Sequence, residues 1–380
     1  MNVVIAIDSF KGCASSQELS GWIEEGIKNV YVEAEVTPCF IADGGEGMLH
    51  ALMQNRDGKI ITCNVHNPLM QPIEAQYGIL SDGMTAVIEM AQASGLPLVP
   101  KEQRNPLKTT TYGVGELIKD ALLRGCRKFI VGIGGSATND AGLGMLQALG
   151  YRFLDKNGDV LGYGGEILEK VEKVDFSGVE PLLEQCEFSV ACDVDNVMYG
   201  AKGCVHVYAP QKGADALMVE RLDAGMVHFC EVLERSYGKS IAHVAGSGAA
   251  GGMGGGILAF LKNASLRSGI EIILDAMHFD ETLKGATLVI TGEGRIDTQS
   301  LMGKVLSGVS KRARRAGVPL IALGGGIADD LEMCEEIDAL FSIMRYPIHL
   351  EEAMEKERTK QLVTKSTTEI FRLIRAILRK

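Results

Sequence analysis

Proline is scarce in this sequence, 10 of 380 residues, and neither a C-x-x-C nor an H-x-x-x-H pair occurs. So little proline excludes a polyproline linker or a collagen-like chain. The missing Cys and His spacings argue against a zinc knuckle, a dithiol redox motif and a helical His metal site. The nine cysteines are scattered and odd in number, the usage of a reduced cytoplasmic protein rather than of a disulfide scaffold. No apolar run approaches the ~18 residues of a membrane-spanning helix; stretches such as ILAFL (257–261) are short. The opening residues, MNVVIAIDSFKG, lack the basic start and small-residue cleavage site of a secretory signal. Basic charge is in deficit too, 38 Lys and Arg against 49 Asp and Glu, for a net −11. That balance disfavours a nucleic-acid backbone or an anionic membrane as partner, and permits a small anionic substrate in a local positive pocket.

What is abundant is glycine, 46 of 380 residues, against a norm of about 7%. Glycine lets a backbone take positive φ and approach a ligand closely. Grouped at a few loops, such an excess points to phosphate or anion binding. Hydrophobic residues at 46% and charged residues at 23% are ordinary globular usage, and the length suggests two to three domains of roughly 150 residues.

Short continuous apolar runs, each ending in polar or glycine residues and followed by a helical pattern, mark the two ends of the chain. VVIAI (3–7) runs into Asp8-Ser9, and apolar spacing over 16–30 follows. A strand-like stretch at 35–42 runs into Asp43-Gly44-Gly45-Glu46, and a helix is expected to start near 48. The same rhythm appears at 128–150, 287–315 and 318–326, with a last strand near 341–344 and a closing helix near 359–379. Runs without alternation are strands buried on both faces, as in a parallel sheet. Between the ends, residues 59–90 read as hairpins with turns at Pro and Asp82-Gly83, and 187–208 alternates again. The expected fold class is therefore α/β with two domains. Residues 1–60 with 286–380 form a Rossmann-like parallel-sheet domain, and 61–285 form an inserted α+β domain; 105–150 fits either.

Several motifs carry candidate chemistry. A P-loop is absent, because Gly303-Lys304 is followed by Val and no Gly stands at 298. No G-x-S-x-G elbow occurs. Gly246, Gly248 and Gly251 fit a dinucleotide fingerprint, with Glu271 20 residues on, although in so glycine-rich a segment a close-packed loop gives the same pattern. Residues 132–140, GIGGSATND, are more informative. Between an apolar strand and a helix, the backbone of Gly134 and Gly135 and the N-terminus of the helix, with the hydroxyls of Ser136 and Thr138, are expected to make an anion site, while Asn139 or Asp140 serves as a helix cap or takes part in chemistry. Carboxylates gather at strand ends: Asp8, Asp43 with Glu46, Asp193 with Asp195, and Glu293 with Asp297. With Lys11 and Arg295 they are the parts of a phosphoryl-transfer site, in which acids hold Mg²⁺, cations offset moving charge and one carboxylate accepts the acceptor's proton. Lys311, Arg312, Arg314 and Arg315 share one helix and are expected to form a solvated face.

Taken in order, these segments resemble the bacterial-type glycerate kinases. The resemblance rests on 7–11 (IDSFK), 42–47 (ADGGEG), 89–91 with 94–96, 110–118 (TTYGVGELI), 132–142, Cys192-Asp193-Val194, 210–214 (PQKGA), 248–253 and 291–297 (TGEGRID) with Gln299. It implies a two-domain, ATP- and Mg²⁺-dependent kinase of D-glycerate, with its site in the cleft between the domains. Which hydroxyl is phosphorylated, and the oligomeric state, stay open. Asp8, Ser9, Lys11 and Asp43 are expected to meet the substrate. Gly134, Gly135, Ser136, Thr138, Gly292 and Glu293 would meet phosphate or nucleotide. Asp43, Glu293 and Asp297 would meet the metal, and Asp193, Lys11 and Arg295 would carry catalysis. One segment departs from the family. At 196–201 the chain reads NVMYGA where relatives carry Asn-Pro-Leu and then a Gly-Pro turn. Without proline to fix φ, a looser loop is expected there. Two other readings are a nicotinamide-dependent oxidoreductase built on Gly246–Gly251, and a non-catalytic relative that has kept only the fold.

Overall fold

A computed structural model describes residues 1–41, 47–301, 304–329, 331 and 335–379. The chain divides into two compact units, one made of Met1–Asp43 with Ile270–Lys380 and the other of Gly44–Gly269. Segment 105–150 lies wholly in the second. Among the described residues no helix is long and apolar enough to cross a membrane.

The first unit holds a five-stranded, all-parallel sheet in the order Ala339–Ser342, Leu320–Ile327, Leu288–Ile296, Asn2–Ile7, Glu35–Pro38. Both chain ends build it, as their unalternating apolar runs require. Val3, Ile5 and Ile7 face Leu19, Ile23 and Ile27 of the helix Ser16–Lys28 and Phe371 of the helix Lys356–Leu378 in one core. Ser15 and Glu18 close the start of Ser16–Lys28 as a capping box. The closing helix starts at Lys356, three residues before its expected position near 359. From Asn2–Ile7 the chain crosses to Glu35–Pro38 on one side; from Leu288–Ile296 it crosses through the helix Val305–Ala316 to Leu320–Ile327 on the other. The sheet order therefore reverses between these two neighbouring strands, and in open parallel sheets ligands bind outside the carboxyl ends at such a reversal.

The second unit carries a six-stranded mixed sheet in the order Ala264–Arg267, Glu187–Ala191, Lys128–Gly132, Thr85–Glu89, Pro72–Ile79, Lys59–His66. The first four strands are parallel, and the last two form the expected hairpin. The fold class is α/β, and this unit is more parallel than the hairpin texture of 59–90 suggests. Only Glu187–Ala191 of the alternating stretch 187–208 is a strand; Cys204–Tyr208 is a helix. Phe129 and Phe188 stack across adjacent strands with ring centroids 4.8 Å apart.

One expectation about the surface is overturned. Lys311, Arg314 and Arg315 are exposed, but the Arg312 side chain is only 6% exposed. Its guanidinium donates to Glu271 (2.6 Å), Asp275 (2.6 Å) and Asp280 (2.9 Å), tying Val305–Ala316 to the chain at 271–280. Charge count along the helix did not reveal this, because the three acids sit on a preceding segment. The carboxylates hold the guanidinium well above its ordinary range. Replacing Arg312 by Met leaves three carboxylates facing one another, and a loss of about 2–4 kcal/mol is expected in urea unfolding at pH 7; Arg312→Lys should lose less.

Candidate active site

The carboxyl edge of the first unit's sheet is built by register. Ile7 pairs with Gly292, and the Asp8 N–H donates to the Gly292 carbonyl at 2.9 Å. Asp8 and Glu293 thus leave neighbouring strands side by side at the reversal. Asp8 Oδ1 accepts from the Ser9 N–H at 2.7 Å, which turns the chain towards Phe10 and Lys11. A Cβ on Gly294 would lie 3.4 Å from Phe10 Cα and 3.9 Å from Lys11 N, so this turn passes directly over the end of the neighbouring strand. Gly292 is required because a Cβ there would stand 1.9 Å from the Leu323 carbonyl oxygen of the next strand. Asp297 Oδ1 accepts from the N–H groups of Gln299 (2.9 Å) and Ser300 (3.3 Å), curling the strand end. Lys11 and Arg295 are exposed, Asp8 is buried, and Glu293 and Asp297 are half-buried. Among the candidates for this unit, Asp8, Ser9, Lys11, Gly292, Glu293, Arg295 and Asp297 share this edge. Asp43, with Glu46, lies outside the described residues.

Glu293 is the electrostatically unusual member. Its Oε1 is buried without a hydrogen-bond partner. Burial pushes its carboxyl above the ordinary range and the negative charge of Asp8 and Asp297 adds to this, against the pull of Ser300 and Lys304. An orphaned carboxylate oxygen beside further acids is the oxygen-only donor set that suits Mg²⁺. Among the described residues no three His, Cys, Asp or Glu side chains cluster as a complete metal cage, and Mg²⁺ ordinarily takes one or two carboxylates and completes its shell with phosphate and water.

In the second unit Gly134, Gly135, Ser136 and Thr138 follow the strand Lys128–Gly132 in one loop. This loop is braced on several sides. Gly135 O accepts from the Leu96 N–H (2.8 Å), Ala137 donates to Ser94 O (2.9 Å), and Thr109 Oγ1 donates to Ala137 O (2.8 Å). The following helix, Leu143–Ala148, has only six residues and starts beyond Gly142. The expected helix N-terminus is therefore not the source of donors here; the loop itself and its side chains are. Asp140, fully buried, is a bracket. Its Oδ2 accepts from the Thr111 N–H and hydroxyl, both at 2.8 Å, and from the Gly144 N–H; its Oδ1 accepts from the Gly142 N–H. Burial raises its carboxyl while these donors pull it down.

Asp193 leaves the adjacent parallel strand Glu187–Ala191, where Gly132 pairs with Ala191, so it shares the edge with the 134–138 loop. It is exposed, and its Oδ1 accepts from the Gly269 N–H at 2.9 Å and the Ser268 hydroxyl at 3.2 Å. Lys212 is a residue that sequence reasoning missed as a site candidate. Only 2% exposed, it donates to Ser136 Oγ (2.7 Å) and to the Thr138 carbonyl (2.6 Å). Its place in the PQKGA segment was the available signal, but a lone Lys in a polar run reads as a surface residue.

The glycine-rich stretch 246–256 is a packing element. Ala250, Gly251 and Gly252 take left-handed φ, and a Cβ on Gly251 would stand 2.0 Å from the Thr138 carbonyl oxygen. Gly251 O accepts from the Ala141 N–H at 3.0 Å. No strand leads into the stretch, so the nicotinamide reading has no βαβ unit to rest on. The 196–201 departure is not loose either. Asn196 Nδ2 donates to Lys202 O, the Tyr208 hydroxyl donates to Asn196 Oδ1, Met198 N donates to Ala242 O and Gly200 N donates to Asp223. These bonds, with Met198 buried, do the work of the missing proline.

Two outcomes are expected. Gly251→Ala forces a strained φ and a clash with the Thr138 backbone, so it should lower stability by at least about 1 kcal/mol, read by thermal unfolding. Glu293→Gln should raise the Tm at pH 7, because the ionised form is disfavoured in the folded protein once the pH exceeds its raised pKa. The gain should vanish below pH 4.5, where the wild-type carboxyl is protonated whether folded or unfolded.

The glycerate kinase family model matches residues 3–375. Glycerate kinase from Haemophilus influenzae is 48% identical over 346 residues, 90% of this chain and 91% of its own. Glycerate 2-kinase from Escherichia coli is 44% identical over 93% of each chain. A crystal structure from Salmonella typhimurium LT2, described as a candidate glycerate kinase 2, superposes with a TM-score of 0.90 at 41% identity and covers 100% of both chains. Acids and cations at the strand reversal, a braced glycine-serine loop and likeness along nearly the whole sequence lead to one assignment: the chain belongs to the glycerate kinase family.

Proposed function

We propose that the protein transfers the γ-phosphate of ATP to a hydroxyl of D-glycerate. Membership of the glycerate kinase family along residues 3–375 supports the activity. The observation that carries the chemistry is Asp8 beside Glu293 at the sheet reversal, under the turn that bears Lys11, with Glu293 Oε1 left without a partner and its carboxyl raised by burial and by neighbouring acids.

In this reading Lys11 holds the glycerate carboxylate as a cation holds any small anion, with Asp8 and Ser9 beside it. Gly134, Gly135, Ser136 and Thr138 receive the oxygens of the phosphate being transferred, with Gly292 and Glu293 beside the nucleotide. Asp193 accepts the hydroxyl proton as the acceptor oxygen bonds to phosphorus and the bond to the ADP oxygen breaks. Its own bonds to Gly269 and Ser268 hold it in one orientation for that transfer. Arg295 offsets the charge that spreads over the phosphoryl oxygens. Glu293 and Asp297, with Asp43, would hold Mg²⁺, which when bound neutralises phosphate charge. The substrate side needs no nucleic acid or membrane. A cytoplasmic setting fits the eight described cysteines, all of them free thiols.

Phosphorus NMR after incubation with ATP, Mg²⁺ and D-glycerate tests the reading. ADP and 2-phosphoglycerate are expected, in line with the relative named for that position; no phosphoglycerate of either kind would overturn it. Asp193→Asn keeps an acceptor for Gly269 and Ser268 and removes the base, so kcat should fall by at least about 10²-fold with the Tm preserved. Turnover within about threefold of wild type would take Asp193 out of that role.

A further inference from the structure

Lys212 is a buried charge that the chemistry above leaves unused. It closes the short turn Pro210–Lys212, and its ammonium lies against the inner side of the 134–138 loop. An ammonium has three donors; two of them are spent on Ser136 Oγ and the Thr138 carbonyl. Among the described residues no carboxylate forms an ion pair with it. Asp140, the nearest buried acid in sequence to the loop, spends its oxygens on Thr111, Gly142 and Gly144. A second group nearby is also unbalanced: Thr138 Oγ1 is fully buried and has no hydrogen-bond partner. Buried cations and buried hydroxyls are normally matched, and two unmatched groups that meet at the 134–138 loop point to a ligand that completes them. The chemistry that completes both is an anion with several acceptor oxygens.

We propose that Lys212 is a positioning residue of the phosphate loop, which fixes Ser136 and the Thr138 carbonyl and supplies from below the positive charge that a terminal phosphate neutralises. The inference deepens the proposed function and rests on the reading of 134–138 as the loop that receives phosphate. Burial holds the Lys212 ammonium down at about 8; Cys204 and Asp140 are the acidic groups that face it, and only Asp140 can carry a charge that opposes this. Cys204 is itself pushed up to about 12 by burial and stays a neutral thiol through the working range. Phosphate arriving at the loop therefore completes the protonation of Lys212, so nucleotide binding and proton uptake are coupled on the alkaline side.

Calorimetry of ATP binding to the full-length protein at pH 8.5, without glycerate and in two buffers of different ionisation enthalpy, reads this directly. Uptake on the order of half a proton per ATP is expected. Lys212→Met should abolish the uptake and weaken ATP at least tenfold. Lys212→Arg, charged throughout, should restore much of the affinity without uptake. An uptake of zero in the wild type, or an unchanged uptake in Lys212→Met, overturns the proposal. If Lys212→Met does not fold, the wild-type uptake and Lys212→Arg still decide it. Ser136→Ala separates the two levels. If Ser136→Ala weakens ATP binding while the wild type takes up no proton, the role of Lys212 fails and the phosphate loop stands; if Ser136→Ala binds ATP normally, the loop reading fails with it.

Discussion

Backbone can touch backbone only where no side chain intervenes, and the loop that carries Ser136 and Thr138 is packed at that limit. The left-handed turn at Ala250–Gly252 lies against Thr138 and Asn139, with space for a hydrogen and none for a methyl. Added bonds from Leu96, Thr109 and Ala141 leave the loop little freedom to change shape. If the loop receives phosphate as proposed, such bracing helps it, since donors held in place before binding lose less entropy when the ligand arrives. The unusual glycine content of this chain is in part the cost of that rigidity.

Buried charge is handled in three ways. Arg312 is matched by three acids and serves as a clamp between helical segments of its unit. Asp140 forms no ion pair among the described residues but is surrounded by N–H and O–H donors, so its charge is spread over the backbone of 111 and 142–144. Lys212 and Glu293 are left incomplete, one short of an anion and the other with an orphaned oxygen and like-charged neighbours. Native proteins seldom tolerate such groups away from functional sites. The incomplete ones stand beside the candidate residues for phosphate and metal, whereas the completed ones stand in the framework.

Much of the architecture was legible before any coordinates. Unalternating runs such as VVIAI can be buried on both faces only in a parallel sheet, and hairpins announce themselves through alternation and turn residues. The alternation at 187–208 misled beyond Ala191 because a short helix with one buried side can carry the same local pattern. The basic helix misled over Arg312 because the acids that bury it belong to another segment. The missing proline at 196–201 suggested slack where Asn196, Tyr208 and Asp223 had already closed the loop through bonds distant in sequence. Each of these misreadings turned on partners that a local window does not contain.

Residue types and their order by themselves determined the α/β class, the acid- and glycine-rich strand ends and the family resemblance, because these depend on neighbours a few positions apart or on ordered motifs. Only the tertiary structure decided that Asp8 and Glu293 stand side by side, that Gly246–Gly256 contributes packing instead of a dinucleotide turn, and that Lys212 is buried beneath Ser136. Those facts depend on register between distant strands and on desolvation, and both come from packing that brings together residues as much as 346 positions apart, as Cys13 and Thr359 are.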